Sequence, residues 1–145
     1  MSFKIMDTNK SENRLHRSEA ISYIRFSYSV NSDYSIDRAV LVISKKLAEE
    51  IGLYDKEVHK VSIGFDPNTN FVGVVFPGFS NNKLYTCRTT DKKGNKVSVP
   101  VSIKALTMKH NLTNYLMADY EKITIDREMF DDRIVVGVHL IPKDQ

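Results

Sequence analysis

The chain of 145 residues has an apolar fraction of 41% and a charged fraction of 27%, which excludes wholesale disorder and indicates one globular domain. Its formal net charge of +3 is compatible with nucleic acid as a partner but does not demand it, because only a localised patch of charge produces a useful field. A single cysteine, the lack of a secretory-signal layout, and no apolar run near the roughly 20 residues that span a bilayer predict a cytoplasmic protein without a membrane segment.

The first elements predicted along the chain are a polar arm and two strands. Residues 1–19 are rich in basic side chains but show neither strand nor helix periodicity, so we predict a flexible basic arm. Residues 22–29 alternate, with Ile24 and Phe26 on one face and Arg25 on the other, as in a half-buried strand. Residues 39–43 form a continuous apolar run, which predicts a strand that is buried on both sides.

A short helix and two more strands complete the first half. Ser44 is a suitable N-cap for this helix, and Gly52 can end it in the left-handed conformation. Strands are predicted at 60–65 and 71–76, joined by a turn that contains Pro and Asn residues. The polar segment 78–82 is predicted to be a linker.

The second half repeats this order of elements. The order strand, strand, short helix, strand, strand occurs twice, and Val72-Gly-Val reappears as Val136-Gly-Val. A duplicated unit that is too small to close its own core should pair with its sister copy, which predicts a pseudo-dimer within one chain. The predicted elements of this half are strands at 83–90, 96–101, 121–126 and 133–141, a helix at 102–111 and a loop at 127–132.

Residues 91–103 read Asp-Lys-Lys-Gly-Asn-Lys-Val-Ser-Val-Pro-Val-Ser-Ile, and this segment resembles the signature of the AbrB/SpoVT/MazE swapped-hairpin family. That signature is an Asp, a hairpin turn with Gly, a β-branched strand that ends in Pro, and a short helix with a basic start. The first half is similar but eroded, with Asp37-Arg38 in place of the hairpin Gly-Arg and Ser44 in place of the Pro. The resemblance implies a mainly β fold with two short helices. In it, two ββαββ copies, residues 20–77 and 83–145, form one swapped-hairpin barrel as a single-chain pseudo-dimer.

DNA-binding members of that family present basic residues from the first strand and from the hairpin and helix starts. On this sequence, the resemblance implies DNA contacts from Arg25 and Arg88 on the first strands, Arg38 at the first hairpin and Lys104 at the second helix start. Glu49 and Glu50 lie on the first helix, where acidic groups oppose phosphate. We therefore expect the binding surface to lie mainly in the second half.

The densest basic cluster in the sequence surrounds Gly94. Lys92, Lys93 and Lys96 could neutralise several phosphates and produce a salt-sensitive affinity for nucleic acid. A lysine-rich hairpin tip is equally typical of a solvated turn, so both readings stay open. Base readout would need further donors aimed into a groove.

Other basic and aromatic residues extend this set of candidates. Lys45 and Lys46 begin the first helix, where they either contact phosphate or pair with the glutamates of the same helix at i,i+4 spacing. Tyrosines in strands usually pack against neighbours, but an exposed one could stack on an unpaired base. The tyrosines considered for this role are Tyr23, Tyr34, Tyr54, Tyr85 and Tyr115.

The sequence predicts neither an enzyme nor a cofactor or metal site. Its histidines lack metal-ligand spacing, and no glycine-rich phosphate loop follows a strand. We therefore predict a regulatory protein that binds double-stranded DNA, typical of a phage or mobile element, as a monomer or homodimer. The alternative is a protein-interaction module, such as a phage-encoded inhibitor of a host enzyme. It would expose a contiguous apolar patch of several hundred Å².

Overall fold

The computed structural model describes residues 21–116, 123–130 and 133–143, so the predicted arm at 1–19 lies outside the described residues. The described chain is mainly β with two short helices, as the alternating patterns predict. A 3-10 turn follows each helix, and neither helix in this part of the chain is long and apolar enough to cross a membrane. In chain order the elements are β1 (Ile24–Val30), β2 (Ile36–Ile43), α1 (Lys45–Glu50), β3 (Val58–Asp66), β4 (Phe71–Phe76), β5 (Tyr85–Arg88), β6 (Val99–Ser102), α2 (Lys104–His110), β7 (Tyr115–Leu116), β8 (Ile123–Phe130), β9 (Arg133–His139) and β10 (Ile141–Pro142).

The strands form two main antiparallel sheets and one short ladder. The first sheet has the order β1-β2-β6, and the second has the order β5-β3-β4-β9-β8. β7 and β10 form the short ladder, which the sequence did not predict. The turn at 91–95 connects β5 to β6 and therefore links the two main sheets, with a bridge between Thr90 and Lys96.

Strands in corresponding places of the two predicted copies pair with each other. β2 pairs with β6, and β4 pairs with β9 so that Gly73 lies directly opposite Gly137. β3 of the first half pairs with β5 of the second half. The equivalent pairing in the other direction would involve β1 and residues 118–121, which lie outside the described residues.

The β1–β2 hairpin shows how alternation builds the core. On β1, Ile24 and Phe26 are buried and Arg25 is exposed, as predicted. On β2, the prediction of burial on both sides is wrong for one face, since Val40 and Val42 are only half-buried there. β-branched side chains suit a pleated, partly exposed surface, so this apolar run reflects strand propensity and not double burial. The fully buried positions of β2 are Ala39, Leu41 and Ile43.

Local capping sets the start of α1 and the C-terminal ends of both helices. The Ser44 hydroxyl oxygen accepts hydrogen bonds from the backbone N–H of Leu47 at 3.3 Å and of Tyr23 at 2.9 Å, which confirms the predicted N-cap. Gly52, with φ of 79°, follows α1 as predicted, and Asn111, with φ of 52°, follows α2. The leucine after each of them is buried, which ties both helix ends to the core.

Two segments that were predicted to be loops contribute to the sheets. The predicted loop at 127–132 is wrong in part, because β8 continues to Phe130 through a shift in its register with β9. The predicted linker at 78–82 lies against β3, where the N–H of Gly78 donates to the carbonyl oxygen of Lys60 at 2.9 Å. Neither segment has a sequence pattern that predicts this pairing, because its conformation depends on the strand beside it.

Candidate nucleic-acid interface

The outward side of β1, β2, β6, β5 and the start of β3 is basic, and we call it the basic face. Residues opposite each other in antiparallel strands point to the same side, so Arg25 shares this side with Val42 and Pro100. Its cations are Arg25, Arg38, Lys60 and Arg88, and the paired outward positions of these described strands carry no carboxylate, although Asp37, the unpaired residue of a bulge in β2, is exposed next to Arg38. Those positions are Arg25, Ser27, Ser29, Arg38, Val40, Val42, Val58, Lys60, Thr86, Arg88, Pro100 and Ser102.

A depression of about 300 Å³ lies in the basic face, where β5 approaches the β2–β6 pair. Arg38 and Arg88 both line this depression, together with the hydroxyl side chains of Thr86 and Ser102. Guanidinium groups match phosphate geometry with paired donors, and hydroxyl groups also donate to phosphate oxygens. The fold thus brings together one arginine from each predicted copy in a surface suited to an anion.

Lys60 also belongs to the basic face, although the sequence did not single it out. Its Nζ donates to Thr86 Oγ1 at 2.7 Å, which holds the cation beside the depression. Lys60 begins the predicted strand at 60–65, and only the pairing of β3 with β5 brings it to this place. No local pattern in the sequence could have indicated it.

The turn at 91–95 has the architecture that its Asp and Gly residues predict. The Asp91 carboxylate accepts hydrogen bonds from the backbone N–H groups of Asn95 at 2.9 Å and Lys93 at 2.8 Å. These bonds favour the charged form and lower the pKa of Asp91, with the bond from Asn95 contributing most. Gly94 has a φ of 86°, which an L side chain rarely adopts.

The lysines of this turn occupy two different environments. Lys92 and Lys93 are exposed at the tip. Lys96 lies on the strand side of the turn, with its Nζ 5.1 Å from the centre of the Tyr54 ring, a cation–π contact. Two of the three predicted lysines are therefore presented to solvent or a partner, and the third also packs against an aromatic ring.

The lysines at the helix starts lie at opposite ends of the β2–β6 pair. β2 leads into α1 and β6 leads into α2, and the two strands are antiparallel. Lys104 therefore begins α2 at the end where Arg38 lies, whereas Lys45 and Lys46 begin α1 at the other end. Lys104 and Lys46 are exposed and Lys45 is half-buried. The structure does not gather all the predicted cations at one place.

Among the five tyrosines considered for stacking, Tyr34 is the exposed one. Its side chain is 88% exposed, whereas the other four are half-buried. The Tyr54 hydroxyl donates to the carbonyl oxygen of Val97 at 2.8 Å, so that ring is held in the fold. The other four tyrosines therefore pack against neighbours, which is the usual role of a tyrosine in a strand, and Tyr34 does not.

A second concave surface, the apolar groove, lies on the outer side of β3, β4, β9 and β8, with a volume of about 590 Å³. Its floor follows a row of glycines, because Gly64 pairs with Gly73 and Gly73 pairs with Gly137. A Cβ atom added at Gly64 would have nothing within 4 Å, so the space above it is open. The Phe71 ring lies over the other two glycines, with its Cζ only 2.5 Å from where a Cβ of Gly137 would be.

The groove combines apolar walls with two carboxylates. Asp66 and Asp126 line an otherwise largely apolar surface. At the rim, the Arg133 guanidinium lies 4.4 Å from the centre of the Phe79 ring. The apolar side chains on the groove side of the sheet are Phe71, Val75 and Val135, with Phe79 beside them, whereas Ile63 and Phe65 pack against the core.

The described side chains show no grouping for metal or thiol chemistry. Cys87 is 1% exposed, and its burial raises the pKa of the thiol to about 11, so the thiol is protonated near neutral pH and unreactive. Within the described ranges, no group of three or more His, Cys, Asp or Glu residues is placed to hold a metal ion. That the chain is not an enzyme stays a prediction.

Comparison with known proteins identifies no relative of this chain. No protein-family model matches it, and no curated protein or solved structure is significantly similar to it. The resemblance to the AbrB/SpoVT/MazE family therefore stays a prediction from short motifs. The function has to be argued from the geometry of the basic face and the apolar groove.

Proposed function

We propose that the chain is a DNA-binding protein that contacts duplex phosphates through its basic face. The observation that carries this proposal is the shared depression of Arg38 and Arg88, on a face with four cations at its paired outward strand positions. Neutralised phosphates release their counterions, so such a surface binds DNA with an affinity that falls steeply with salt. A small DNA-binding protein of this kind is suited to a regulatory role, such as the control of transcription.

The proposed architecture is a tandem duplication that forms one swapped-hairpin barrel. Counted back from the two helix N-caps, Val40 corresponds to Val99 and Ile43 corresponds to Ser102. The observed register pairs Val40 with Ser102 and Ile43 with Val99, as expected for two strands related by a two-fold axis. The pairing of β3 with β5 supports an exchange of hairpins between the halves. This arrangement explains how two copies contribute to one basic face.

The two hairpin turns extend the proposed DNA surface. The turn at 31–35 precedes β2 and the turn at 91–95 precedes β6, and these strands are antiparallel. The turns therefore lie at opposite ends of the β2–β6 pair, with the arginine-lined depression between them. Phosphate contacts by the central arginines would leave both turns free to approach the flanking grooves of a duplex.

A salt titration of a double variant tests the DNA-binding proposal. We expect Arg38→Ala/Arg88→Ala to weaken binding about 100-fold or more at 100 mM salt, because charged hydrogen bonds to phosphate contribute roughly 1.5 kcal/mol or more each. The slope of log affinity against log salt should fall by about 2, roughly one unit for each phosphate contact. The measurement is fluorescence anisotropy of a labelled duplex of about 30 base pairs between 50 and 200 mM salt.

The control for this titration is Arg133→Ala, which removes a cation that does not line the depression and instead lies against the Phe79 ring. It should leave both the affinity and the salt slope close to those of the wild type. Wild-type affinity in the double variant would contradict the role of the depression. A wild-type chain that does not bind duplex DNA at 50 mM salt would contradict DNA binding altogether.

The apolar groove favours a second candidate function, that of a protein-interaction module. A groove of this volume, apolar with few polar groups, is typical of a binding site. The exposed Asp66 carboxylate favours positive charge, so the fitting occupant is a short partner segment with an apolar side chain next to Lys or Arg.

Peptide selection tests the groove. We expect displayed peptides selected on the wild-type protein to be enriched in apolar residues next to Lys or Arg, and to lose at least tenfold in affinity for Gly64→Phe. The added ring enters open space above the sheet, so the fold should be retained. Asp66→Asn is the matched probe of charge and should reduce the preference for cationic peptides. Selected peptides that bind Gly64→Phe as well as the wild type would contradict the groove as their site.

A further inference from the structure

The two hairpin turns have the same backbone geometry. In each, the fourth residue, Tyr34 or Gly94, donates its N–H to the carbonyl of the first residue, at 3.0 and 3.1 Å. The first residue donates to the carbonyl of the fifth, at 2.8 and 3.0 Å. The fourth residue has a positive φ in both turns, 66° for Tyr34 and 86° for Gly94. Tyr34 therefore occupies a position of the turn that favours glycine.

Tyrosine is an unfavourable residue for this position unless its side chain is used. A positive φ brings the Cβ atom of an L residue too close to its own backbone, and a bulky residue there is an outlier. Packing of the Tyr34 ring does not offset this conformational cost, because the ring is 88% exposed. The Asp33 carboxylate, which accepts a hydrogen bond from the N–H of Ser35 at 3.1 Å, helps to hold the turn. Strained residues kept in this way are concentrated at functional sites.

The tip that carries Tyr34 extends beyond the rest of its sheet. β1 and β2 pair as far as Val30 and Ile36, but β6 pairs only with the part of β2 from Val40 to Ile43. The distal hairpin is thus a two-stranded ribbon, which is a shape that the major groove of DNA admits. Arg38 stands at its base and lines the depression of the basic face.

We propose that Tyr34 contacts base edges in the major groove and gives the DNA contact a preference for thymine. This inference rests on the proposed DNA-binding function and deepens it, because phosphate contacts by the basic face carry no sequence information. Thymine is the base that offers an apolar methyl group in the major groove, and an exposed aromatic ring is suited to contact it.

Replacement of thymine by uracil tests this proposal, since it removes only the methyl group. Preferred duplexes are first selected from a randomised library with the wild-type protein. Anisotropy titrations then compare a selected duplex with its uracil copy. We expect the wild type to bind the uracil copy about five- to tenfold more weakly, the lower end of the range for one good base contact. Tyr34→Gly should bind both duplexes equally, and Tyr34→Phe, which keeps the ring, should retain the preference.

Stability measurements separate this role from a structural one. Tyr34→Gly relieves the left-handed strain, so its thermal midpoint should equal that of the wild type or exceed it by about 3 °C. A Tyr34→Gly variant that keeps the thymine preference would overturn the proposal, as would a wild type that is indifferent to the methyl group. In both cases the proposed DNA-binding function would still be supported if Arg38→Ala/Arg88→Ala loses DNA binding. A wild type that binds no duplex DNA would overturn both.

Discussion

Gly137→Ala is expected to lower the free energy of unfolding by about 3 kcal/mol or more, a large part of the stability of an ordinary domain. A Cβ atom at this position would overlap the carbonyl oxygen of Val72 and would lie 2.8 Å from the Cα of Gly73. Since these are backbone atoms of the paired strand β4, the two strands would have to separate locally. Urea unfolding followed by circular dichroism measures the loss.

Gly64→Ala is the matched control for this prediction. Gly64 lies in the same cross-strand row, but an added Cβ atom there would have nothing within 4 Å. Alanine at this position should be neutral or stabilise the chain by about 0.5 kcal/mol, because it reduces the freedom of the unfolded backbone. Equal effects of the two substitutions would contradict the close approach of β4 and β9 at Gly137.

Leu41→Ala is expected to lower the free energy of unfolding by about 3 kcal/mol, within the range for a large side chain removed from a packed core. Leu41 is 1% exposed and belongs to the main core cluster. Its neighbour Val40 is half-buried on the basic face, so Val40→Ala should lower the free energy by less than about 1 kcal/mol. Guanidinium unfolding at equilibrium measures both variants.

Comparing the stability losses of the two variants shows whether β2 is buried on one face or on both. A large effect of Leu41→Ala with a small one of Val40→Ala corresponds to a strand with one core face and one outer face. Comparable losses would instead support the burial on both sides that the continuous apolar run predicts. Because Val40 lines the depression with Arg38 and Arg88, the result also tests whether that face is open to a ligand.

Whatever depends on neighbours in the sequence could be predicted before the fold was known. Side chains alternate along a strand, so Ile24 and Phe26 could be assigned to the core and Arg25 to the surface. Helix ends are set by residues within one turn, and Ser44 and Gly52 have the predicted roles. The mainly β class with two short helices follows from the same local patterns.

The site depended on contacts between distant residues. Lys60 reaches the basic face only because β3 pairs with β5, and a pairing partner is chosen by the packing of the whole core and not by local pattern. The apolar groove arises where glycines from three strands fall in one row. Burial of the outer face of β2 was predicted wrongly for the same reason, since the sequence of a strand does not determine which elements pack against its faces.

The sequence by itself determined the strand and helix types, the cap at Ser44 and the turn around Gly94, because each follows from the conformational preferences of a few adjacent residues. Only the tertiary structure decided that Arg38 and Arg88 share a depression, and that Tyr34 alone of the candidate tyrosines is exposed. The physical reason is that charge proximity and exposure depend on long-range strand register, which many weak contacts select together.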